Sequence, residues 1–114
     1  MATKRNPLPG HPVRGSRTGR PIMALLDLLG RRWALRVLWE LRDTPVPTFR
    51  ELQQRCGQVS SSVLTDRLTE LRSAGIVARD DSGYQLTPEG RELLPVMLAM
   101  DQWATRWATR PELS

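Results

Sequence analysis

Helix-starting and helix-ending residues between positions 48 and 75 place the strongest constraint on the fold of this chain. Thr48 and Glu51 form a capping-box pattern, in which the threonine hydroxyl accepts from the third amide while the glutamate reaches back. Ser60 can cap a second helix that runs through Ala74, and Gly75 suits a left-handed helix end. The segment therefore predicts a short helix ending near residues 56–57, a tight turn, and a longer helix.

After Gly75 the spacing of apolar residues changes from that of a helix to that of strands. Residues 76–79 are predicted to form one strand, 80–83 a turn, and 84–86 a returning strand. A two-stranded hairpin is only marginally stable by itself, so it must pack against the helices. Two short helices joined by a tight turn and followed by a small hairpin predict a winged helix-turn-helix, with the hairpin as the wing.

The chain before the capping box predicts two more helices. Pro21 and Gly30 bracket a short one over residues 21–29, since proline is favoured at a helix start and glycine just past its end. A second helix is predicted from about residue 31 to residue 42, where apolar side chains share one broad face. Pro45 and Pro47 stop it, because proline cannot continue a helix interior.

The chain after the wing predicts one last, long helix. Thr87 can cap it, Pro88 suits its first position, and it should run to about residue 109 with a kink at Pro95. The predicted fold class is therefore mainly α with a small β-hairpin. It is a winged helix-turn-helix of five helices and a two-stranded wing, in one domain over residues 21–110.

Composition excludes several classes of protein. The chain has 114 residues, of which 39% are hydrophobic, enough to bury a core without disulfide or metal staples. Its apolar runs are shorter than the ~20 residues that cross a bilayer, and the N-terminal region lacks the apolar stretch of a secretory signal. We therefore expect a cytoplasmic protein with no membrane partner.

Catalytic and metal-binding patterns are also missing from the sequence. The one cysteine, Cys56, and the one histidine, His11, cannot form an internal disulfide or a zinc site. No glycine-rich loop that would cradle a phosphate is present. We expect neither an enzyme nor a cofactor.

The basic excess of the chain lies at its N-terminal end. The formal net charge is +5, and residues 1–20 carry all of it, because basic and acidic residues balance over 21–114. This segment is rich in glycine and proline and predicts a disordered basic tail over residues 1–20. It is either a solvated leader without function or an arm that reaches DNA. Its basic residues are Lys4, Arg5, Arg14, Arg17 and Arg20.

The helix predicted over residues 60–74 carries leucines on one side and short polar residues on the other. At 100° per residue, Leu64, Leu68 and Leu71 form one stripe toward the core. Because the opposite side has no large apolar residue, this helix can enter a major groove and point its N-terminal amides at phosphates. The pattern also fits an ordinary amphipathic surface helix. The opposite side carries Ser62, Thr65, Asp66, Thr69 and Ser73.

Candidate DNA contacts follow from this placement. Asp66 could accept from a cytosine amino group or repel phosphates, and Arg67 could pair with Glu70 instead of contacting DNA. Most of the attraction to DNA must come from arginines that neutralise phosphates. The predicted contacts are Arg50, Ser60, Ser61, Ser62, Thr65, Asp66, Arg67, Thr69 and Arg79. Further candidates for phosphate contacts are Arg31, Arg32 and Arg55.

Several runs of residues carry a pattern beyond their helix and strand periodicity. They are Leu28-Leu29-Gly30-Arg31-Arg32-Trp33-Ala34, Phe49-Arg50-Glu51-Leu52, Leu64-Thr65-Asp66-Arg67-Leu68 and Tyr84-Gln85-Leu86-Thr87-Pro88-Glu89-Gly90. In this order and spacing, over about residues 20–108, the chain resembles the HxlR family of bacterial winged-helix regulators. The resemblance implies a homodimer that binds an inverted-repeat operator in double-stranded DNA and represses or activates neighbouring genes, with repression expected. It also implies that the helix over 61–74 reads the major groove and that 76–86 form the wing.

The chain departs from the pattern of that family at three places. Arg20 stands where many relatives carry a cysteine that some use to sense oxidants or electrophiles. Cys56 does not replace it, because its position predicts a buried small hydrophobe. Residues 80–81 are aspartates where a basic wing tip is expected, which leaves Arg79 as the wing contact. Residues 61–62 are serines where proline and a basic residue are common.

The last predicted helix carries an apolar stripe that one small domain cannot cover. Five residues of this helix fall within about 80° of one another on a helical wheel: Leu93, Met97, Met100, Ala104 and Trp107. A second protomer is the expected cover, with the helix over 21–29 as neighbour. The alternative is a stripe packed wholly within its own chain. The predicted dimer interface is Ile22, Leu25, Leu26, Leu93, Met97, Met100, Trp103, Ala104 and Trp107.

Two further interpretations remain open at this point. The tryptophans could line a pocket for a small, flat, apolar effector at the dimer interface, or they could belong to the core without any ligand. A winged helix that is charge-neutral outside its tail, with an acidic wing, also suits a protein-interaction module that does not bind DNA. The tryptophans are Trp33, Trp39, Trp103 and Trp107.

Overall fold

The computed structural model describes residues 6–43 and 45–113. Within them the chain is mainly α with one two-stranded antiparallel sheet, and the predicted winged helix-turn-helix is confirmed. No helix in these ranges is both long enough and apolar enough to span a bilayer. The elements are α1 (Pro21–Leu29), α2 (Ala34–Glu40), α3 (Phe49–Arg55), α4 (Ser61–Ser73), β1 (Val77–Asp80), β2 (Gly83–Leu86), α5 (Pro88–Arg91), α6 (Leu94–Ala108) and a 3-10 turn at Pro111–Leu113.

One hydrophobic core joins the first four helices, the wing and the start of α6. The helix α2 contributes Val37 and Leu38, both completely buried, and it contacts α1, α3 and α4. Leu52 from α3, Leu86 from β2 and Met97 from α6 complete this cluster. Helices of the N-terminal half and the wing therefore share a single packing unit.

The capping residues set the limits of α3 and α4 as predicted. The hydroxyl of Thr48 accepts from the amide of Glu51 at 3.2 Å, and the Glu51 carboxylate accepts from the amide of Thr48 at 3.1 Å. The hydroxyl of Ser60 accepts from the amide of Val63 at 3.3 Å and starts α4. Gly75, with φ of +77°, ends it in the left-handed region.

The helix α2 is shorter than predicted at both ends. Trp33 has a φ of +76°, outside helical geometry, so the helix begins at Ala34 instead of near residue 31. At the other end, the Arg42 guanidinium donates to the carbonyl of Trp39 at 2.8 Å and stacks over the Trp39 ring at 3.8 Å. This contact satisfies a carbonyl that has no partner inside the helix, and α2 ends at Glu40.

The strands of the wing differ from the prediction by one residue, because each extends one residue into the expected four-residue turn. The first is shifted from 76–79 to 77–80 at unchanged length, and the second gains residue 83. The pairing of Asp80 with Gly83 leaves a two-residue turn. The Asp80 carboxylate accepts from the amide of Ser82 at 2.8 Å and from the Gln85 side chain at 2.9 Å. The amide of Tyr84 donates to the carbonyl of Pro47 at 2.9 Å and fastens the wing to the loop before α3. Asp80 therefore builds the turn of the wing.

The last predicted helix is divided in two, which corrects the expectation of one long, kinked helix. The proline ring would clash with the carbonyl four residues earlier, and that carbonyl belongs to Arg91, where α5 ends. Pro95 instead occupies the first turn of α6, where no partner for its nitrogen is needed. The predicted cap is confirmed, since the hydroxyl of Thr87 accepts from the amide of Gly90 at 3.0 Å.

Residues 6–20 lie against α1 in the structure. The amide of Gly10 donates to the carbonyl of Gly19 at 3.0 Å, which closes the segment into a loop. The guanidinium of Arg14 lies 3.4 Å from the Asp27 carboxylate, and its amide donates to the same group at 3.2 Å. Residues 1–5 lie outside the described ranges. The disordered tail over 1–20 and the domain limits of 21–110 stay predictions.

The attachment of the wing predicts a large effect of Gly83→Ala on stability. Gly83 has a φ of +135°, and a Cβ there would overlap the carbonyl oxygen of Pro47, the acceptor for Tyr84. Gly57→Ala is the matched control, since its φ is +75° but nothing lies within 4 Å of its Cβ. We expect Gly83→Ala to lower the free energy of unfolding by about 1–3 kcal/mol more than the control, measured by urea denaturation. Equal losses would contradict the close approach.

Candidate nucleic-acid interface

The helices α3 and α4 are held at a fixed angle by a short, hydrogen-bonded turn. Gly57 and Gln58 both have positive φ, +75° and +64°, and turn the chain sharply after α3. The Gln53 side chain then donates to the carbonyl of Val59 at 2.8 Å and to the hydroxyl of Ser61 at 3.2 Å. One glutamine on the first helix thus orients the first turn of the second.

The helix α4 buries its leucines and exposes its short polar residues, as the helical wheel predicts. Leu64, Leu68 and Leu71 are at most 2% exposed. The opposite face presents hydroxyls and one carboxylate to solvent, where a partner has access to them. The exposed predicted contacts on or beside this helix are Ser60, Ser61, Ser62, Thr65, Asp66 and Thr69. Their contact with DNA stays a prediction.

Arg67 lies in the interior, which corrects its place among the predicted DNA contacts. Its side chain is 10% exposed, and its guanidinium lies 3.0 Å from the Glu70 carboxylate. It also donates to the backbone carbonyl of Arg32 at 3.3 Å. The alternative that paired Arg67 with Glu70 is therefore the one that the structure supports.

Two further arginines that were candidates for phosphates are used inside the protein. Arg31 lies 3.0 Å from the Glu70 carboxylate, with its side chain 17% exposed. Arg55 donates to the carbonyls of Glu40 at 3.3 Å and Pro45 at 2.9 Å and ties α3 to the end of α2. Arg32, in contrast, is exposed. Ion pairs and hydrogen bonds to residues far along the chain therefore determine which arginines stay available to a ligand, and the sequence did not reveal these contacts.

A polar cleft of about 450 Å³ lies between α3 and the start of α4. Arg50 is exposed on its wall, at the beginning of α3. The remaining lining residues are amides and hydroxyls except for one valine: Gln53, Gln54, Gln58, Val59, Ser60 and Ser61. A cation beside several hydrogen-bond donors suits a phosphate group.

A second polar cleft, of about 480 Å³, lies between the end of α4 and strand β1. Arg72 and Arg79 are both exposed on its walls, with the hydroxyls of Thr69 and Ser73. The Arg79 guanidinium also lies 5.6 Å from the centre of the Tyr84 ring. Neither arginine forms an ion pair with any residue in the described part of the chain.

Arg72 is a candidate contact that the sequence reasoning missed. A signal was present, because seven residues correspond to about 20° on a helical wheel and place Arg72 on the same side as Thr65. A count of charge along this helix hides the signal, because Asp66 and Glu70 balance Arg67 and Arg72. The structure removes Glu70 and Arg67 from that count, since they pair in the interior. The outer side of α4 therefore carries Asp66 and Arg72.

The predicted dimer face is largely uncovered in the described protomer. Ile22 on α1 is 56% exposed, and Met100 and Trp103 on α6 are 46% and 50% exposed. Met97 is buried in the core, which accounts for the first part of α6. Leu26, Ala104 and Trp107 are also exposed, whereas Leu25 and Leu93 are partly buried. The alternative of a stripe packed wholly within its own chain is not what these residues show.

The tryptophans do not gather around one cavity within the protomer. Trp103 and Trp107 stack on each other, with ring centres 5.7 Å apart, and Trp33 packs against the core. Trp39 lines a groove of about 320 Å³ between α2 and α6. The other lining residues of this groove are Leu35, Arg36, Met97, Met100, Asp101 and Ala104.

Cys56 is completely buried at the end of α3, as its position predicts. Burial, and secondarily the Glu40 carboxylate, raise the pKa of its thiol to about 11, against an ordinary value of 9.0. The thiolate, which is the reactive form, is therefore scarce at neutral pH. Within the described ranges, no group of three or more His, Cys, Asp or Glu side chains could hold a metal ion.

One family model and two HTH-type transcriptional regulators match this chain. The model of the HxlR-like helix-turn-helix family matches residues 28–112. The HTH-type transcriptional regulator YvaP of Bacillus subtilis is 32% identical in an alignment over 89 residues that covers 72% of this chain and 82% of YvaP. The HTH-type transcriptional regulator YybR, from the same bacterium, is 30% identical over 110 residues, covering 90% of this chain and 82% of YybR.

Solved structures share the fold. The quinone-bound form of YodB from B. subtilis superposes with a TM-score of 0.69 at 32% identity, over 75% of this chain and 97% of YodB. A putative transcriptional regulator of the MarR family from Porphyromonas gingivalis W83 superposes with a TM-score of 0.66, over 75% of this chain and 89% of that protein. At 20% identity, the second likeness concerns the fold alone.

The burial of Cys56 predicts that the native protein resists thiol reagents. At pH 8 we expect a disulfide reagent to modify Cys56 only as fast as the protein unfolds, and at once in urea. The raised pKa also predicts that stability contributed by the neutral thiol is complete below about pH 9 and is lost as the pH rises toward about 11. Cys56→Ala should flatten that part of the pH profile. Rapid stoichiometric labelling of the native protein would contradict the prediction.

Proposed function

This chain belongs to the HxlR-like helix-turn-helix family, and from that premise we propose that it is a homodimeric repressor that binds an inverted-repeat operator. It is a DNA-binding transcriptional regulator of the helix-turn-helix type and not an enzyme. The observation that carries the proposal is the outer face of α4, where short hydroxyls lie between two arginine-bearing clefts.

The helix α4 is proposed to lie in the major groove with its outer face toward the bases. Thr65 and Thr69 can donate to or accept from base edges, and their methyl groups can contact thymine. Asp66 can accept from a cytosine amino group and keeps phosphates away from the centre of the helix. Short side chains let the helix backbone approach the groove closely.

Arginines at both ends of α4 are proposed to hold the phosphates. Arg50 lies beside the N-terminal cleft, and Arg72 and Arg79 lie beside the cleft next to the wing. The wing contact would then rest on a pair of arginines from two elements and not on Arg79 alone. Phosphate contacts of this kind fix the register of a protein on the duplex and supply most of the non-specific affinity.

The N-terminal residues 1–20 are a further candidate for phosphate contacts. They carry the whole formal excess of +5. Arg17 and Arg20 are exposed, whereas Arg14 pairs with Asp27. The folded loop over 6–20 would bring these charges to DNA from the side of α1, as part of the domain surface.

The uncovered apolar face of α1 and α6 supports a homodimer. The exposed apolar residues of these two helices present more apolar surface than single scattered residues would. They are Ile22, Leu26, Met100, Trp103 and Trp107. A second copy would cover it with the same residues, since a two-fold interface pairs each surface patch with itself. The two α4 helices would then lie roughly 34 Å apart, one turn of DNA, and read an inverted repeat.

Repression needs nothing beyond occupancy of the operator, which is why we prefer it to activation. The groove between α2 and α6, beside Trp39 and Met97, is the proposed place for a small apolar effector. One solved structure of YodB holds a quinone, and a flat ligand of that class would fit apolar walls of this kind. Since Cys56 is buried, such a ligand would bind here without bonding to a thiol. A regulator of this type would act in the cytoplasm.

Base and phosphate contacts predict two different losses of DNA affinity. Thr65→Ala should cost about 1 kcal/mol on the selected operator and little on random DNA. Arg72→Gln should weaken binding to both duplexes and lower the slope of log affinity against log salt by about 1.

The N-terminal loop gives a separate prediction. Arg17→Gln combined with Arg20→Gln should lower the same slope by about 2 if the loop contacts phosphates. Fluorescence anisotropy across a salt series measures all three.

The matched control for these titrations is Arg106→Gln, which removes one exposed charge near the end of α6. It should leave affinity and slope as in the wild type. Equal losses for Thr65→Ala on both duplexes would remove Thr65 from the base contacts. Failure of the wild-type protein to bind any duplex at low salt would favour the protein-interaction module instead.

The dimer interface predicts that a charge on α6 separates the protomers. Met100→Lys places an ammonium in the apolar face, where burial against a partner carries a large desolvation cost. We expect a monomer by light scattering at concentrations where the wild type is a dimer, with the helical circular dichroism signal retained. Thr109→Lys, beyond α6 on an exposed residue, is the control and should stay dimeric. An intact Met100→Lys dimer would contradict the proposed interface.

A further inference from the structure

Three charged side chains meet where the connection between α1 and α2 crosses the second half of α4. Glu70 lies between two guanidinium groups and forms an ion pair with each, with Arg31 at 3.0 Å from one carboxylate oxygen and Arg67 at 3.0 Å from the other. The exposed fractions of the side chains of Arg31, Glu70 and Arg67 are 17%, 8% and 10%. Arg67 also donates to the carbonyl of Arg32. We name these residues the Arg31–Glu70–Arg67 cluster.

The cluster is a poor way to gain stability. Removing three charges from water has a cost that nearly offsets their attraction, and apolar residues of similar size often stabilise a fold as well. What buried ion pairs add is a preferred position, because their attraction falls with distance and any displacement leaves a buried charge less compensated. The leucine stripe of α4, in contrast, is non-directional and tolerates small rotations and slides.

The location of the cluster connects two surfaces of different function. Arg31 stands two residues beyond the end of α1, whose exposed Ile22 and Leu26 belong to the proposed dimer face. Glu70 and Arg67 stand on α4, whose outer face is proposed to read DNA. The charged contacts therefore fasten the dimerisation helix to the recognition helix directly, without passing through α3 or the wing.

The backbone beside Arg31 is held in an unusual conformation. Trp33 has a φ of +76°, which bulky side chains rarely adopt and which costs roughly 1–2 kcal/mol. Such strain persists only where the surroundings fix the chain. The bond from Arg67 to the carbonyl of Arg32 lies next to this residue. The ion pair of Arg31 and the hydrogen bond to the carbonyl of Arg32 thus together hold the connection between α1 and α2 in one conformation.

We propose that the Arg31–Glu70–Arg67 cluster positions α4 relative to α1 and so determines which half-site spacing the dimer accepts. The inference rests on the proposed function, since it needs a dimer and an inverted repeat. A small rotation of α4 about its leucine stripe would move its outer face along the groove in both protomers. Because the two protomers are related by a two-fold axis, the change in spacing would be twice the displacement of one helix.

The test measures affinity against the spacing between half-sites. A random duplex pool first yields the half-site, and anisotropy then measures binding to duplexes whose half-site separation changes in steps of one base pair. We expect the wild-type protein to bind its preferred spacing at least about tenfold more tightly than spacings that are two base pairs longer or shorter. A tenfold ratio of affinities corresponds to 1.4 kcal/mol. Glu70→Gln should reduce that preference to about threefold or less, with half-site choice unchanged.

A second variant guards against loss of folding in Glu70→Gln. The triple change Arg31→Met, Arg67→Leu and Glu70→Met replaces the cluster with apolar side chains and should keep the fold, as exchanges of whole buried ion clusters often do. It should lose the spacing preference to the same extent. Light scattering and circular dichroism establish that the variant is a folded dimer.

The control is Glu40→Gln, which removes a less buried ion pair of the same chemistry on α2, where Glu40 lies 2.9 Å from Arg36. It should keep the spacing preference of the wild type. A folded, dimeric triple variant with an unchanged preference would overturn the inference alone. A wild-type protein that stays monomeric or binds no duplex would overturn the proposed function, and this inference with it.

Discussion

The burial of the leucine face of α4 is the interaction on which the rest of the structure depends. Leu64, Leu68 and Leu71 are almost completely buried, and each contributes about 1.5–3 kcal/mol of transfer free energy. Because α2 takes up this face, the opposite face has to point to solvent. The presentation of hydroxyls to a partner is therefore a direct consequence of core packing. Ser60 caps this helix at its start, and Gly75 ends it in the left-handed region.

The division of the arginines into two groups gives the surface its electrostatic character. Arg31, Arg67 and Arg55 bind carboxylates and carbonyls within the protein. Arg50 and Arg72, with the wing arginine, face outward at the two ends of α4. Positive charge is thus concentrated at the ends of the recognition helix, where the phosphate backbone would pass. The centre of the helix is left to short polar side chains and one carboxylate.

The C-terminal part of the chain follows from one proline and one buried methionine. Pro95 lies in the first turn of a new helix after α5, and Met97 anchors the start of that helix in the core. Beyond Met97 the side chains of α6 are exposed, including two stacked tryptophans. The exposed apolar residues of α6 and α1 are different residues from those on the outer face of α4. The proposed dimer interface and the proposed DNA contact therefore use separate sets of side chains.

Features that depend on neighbours within a few residues can be predicted from the amino-acid sequence. Caps at Thr48 and Ser60, the left-handed glycine after α4, the wing and the leucine stripe all follow from local hydrogen bonding and helical periodicity. From these the fold class and the outer face of α4 could be predicted, and the family resemblance followed from the same segments.

Features that depend on partners far along the chain follow from the packed fold and not from local pattern. Arg67 reaches a carbonyl 35 residues away, and Arg55 one 15 residues away, so no local pattern distinguishes them from the arginines that face outward. The left-handed Trp33 and the division of the last helix also differ from expectation. In each, a contact or steric clash outweighs local propensity, because conformational preferences of about 1 kcal/mol are smaller than the packing terms they oppose.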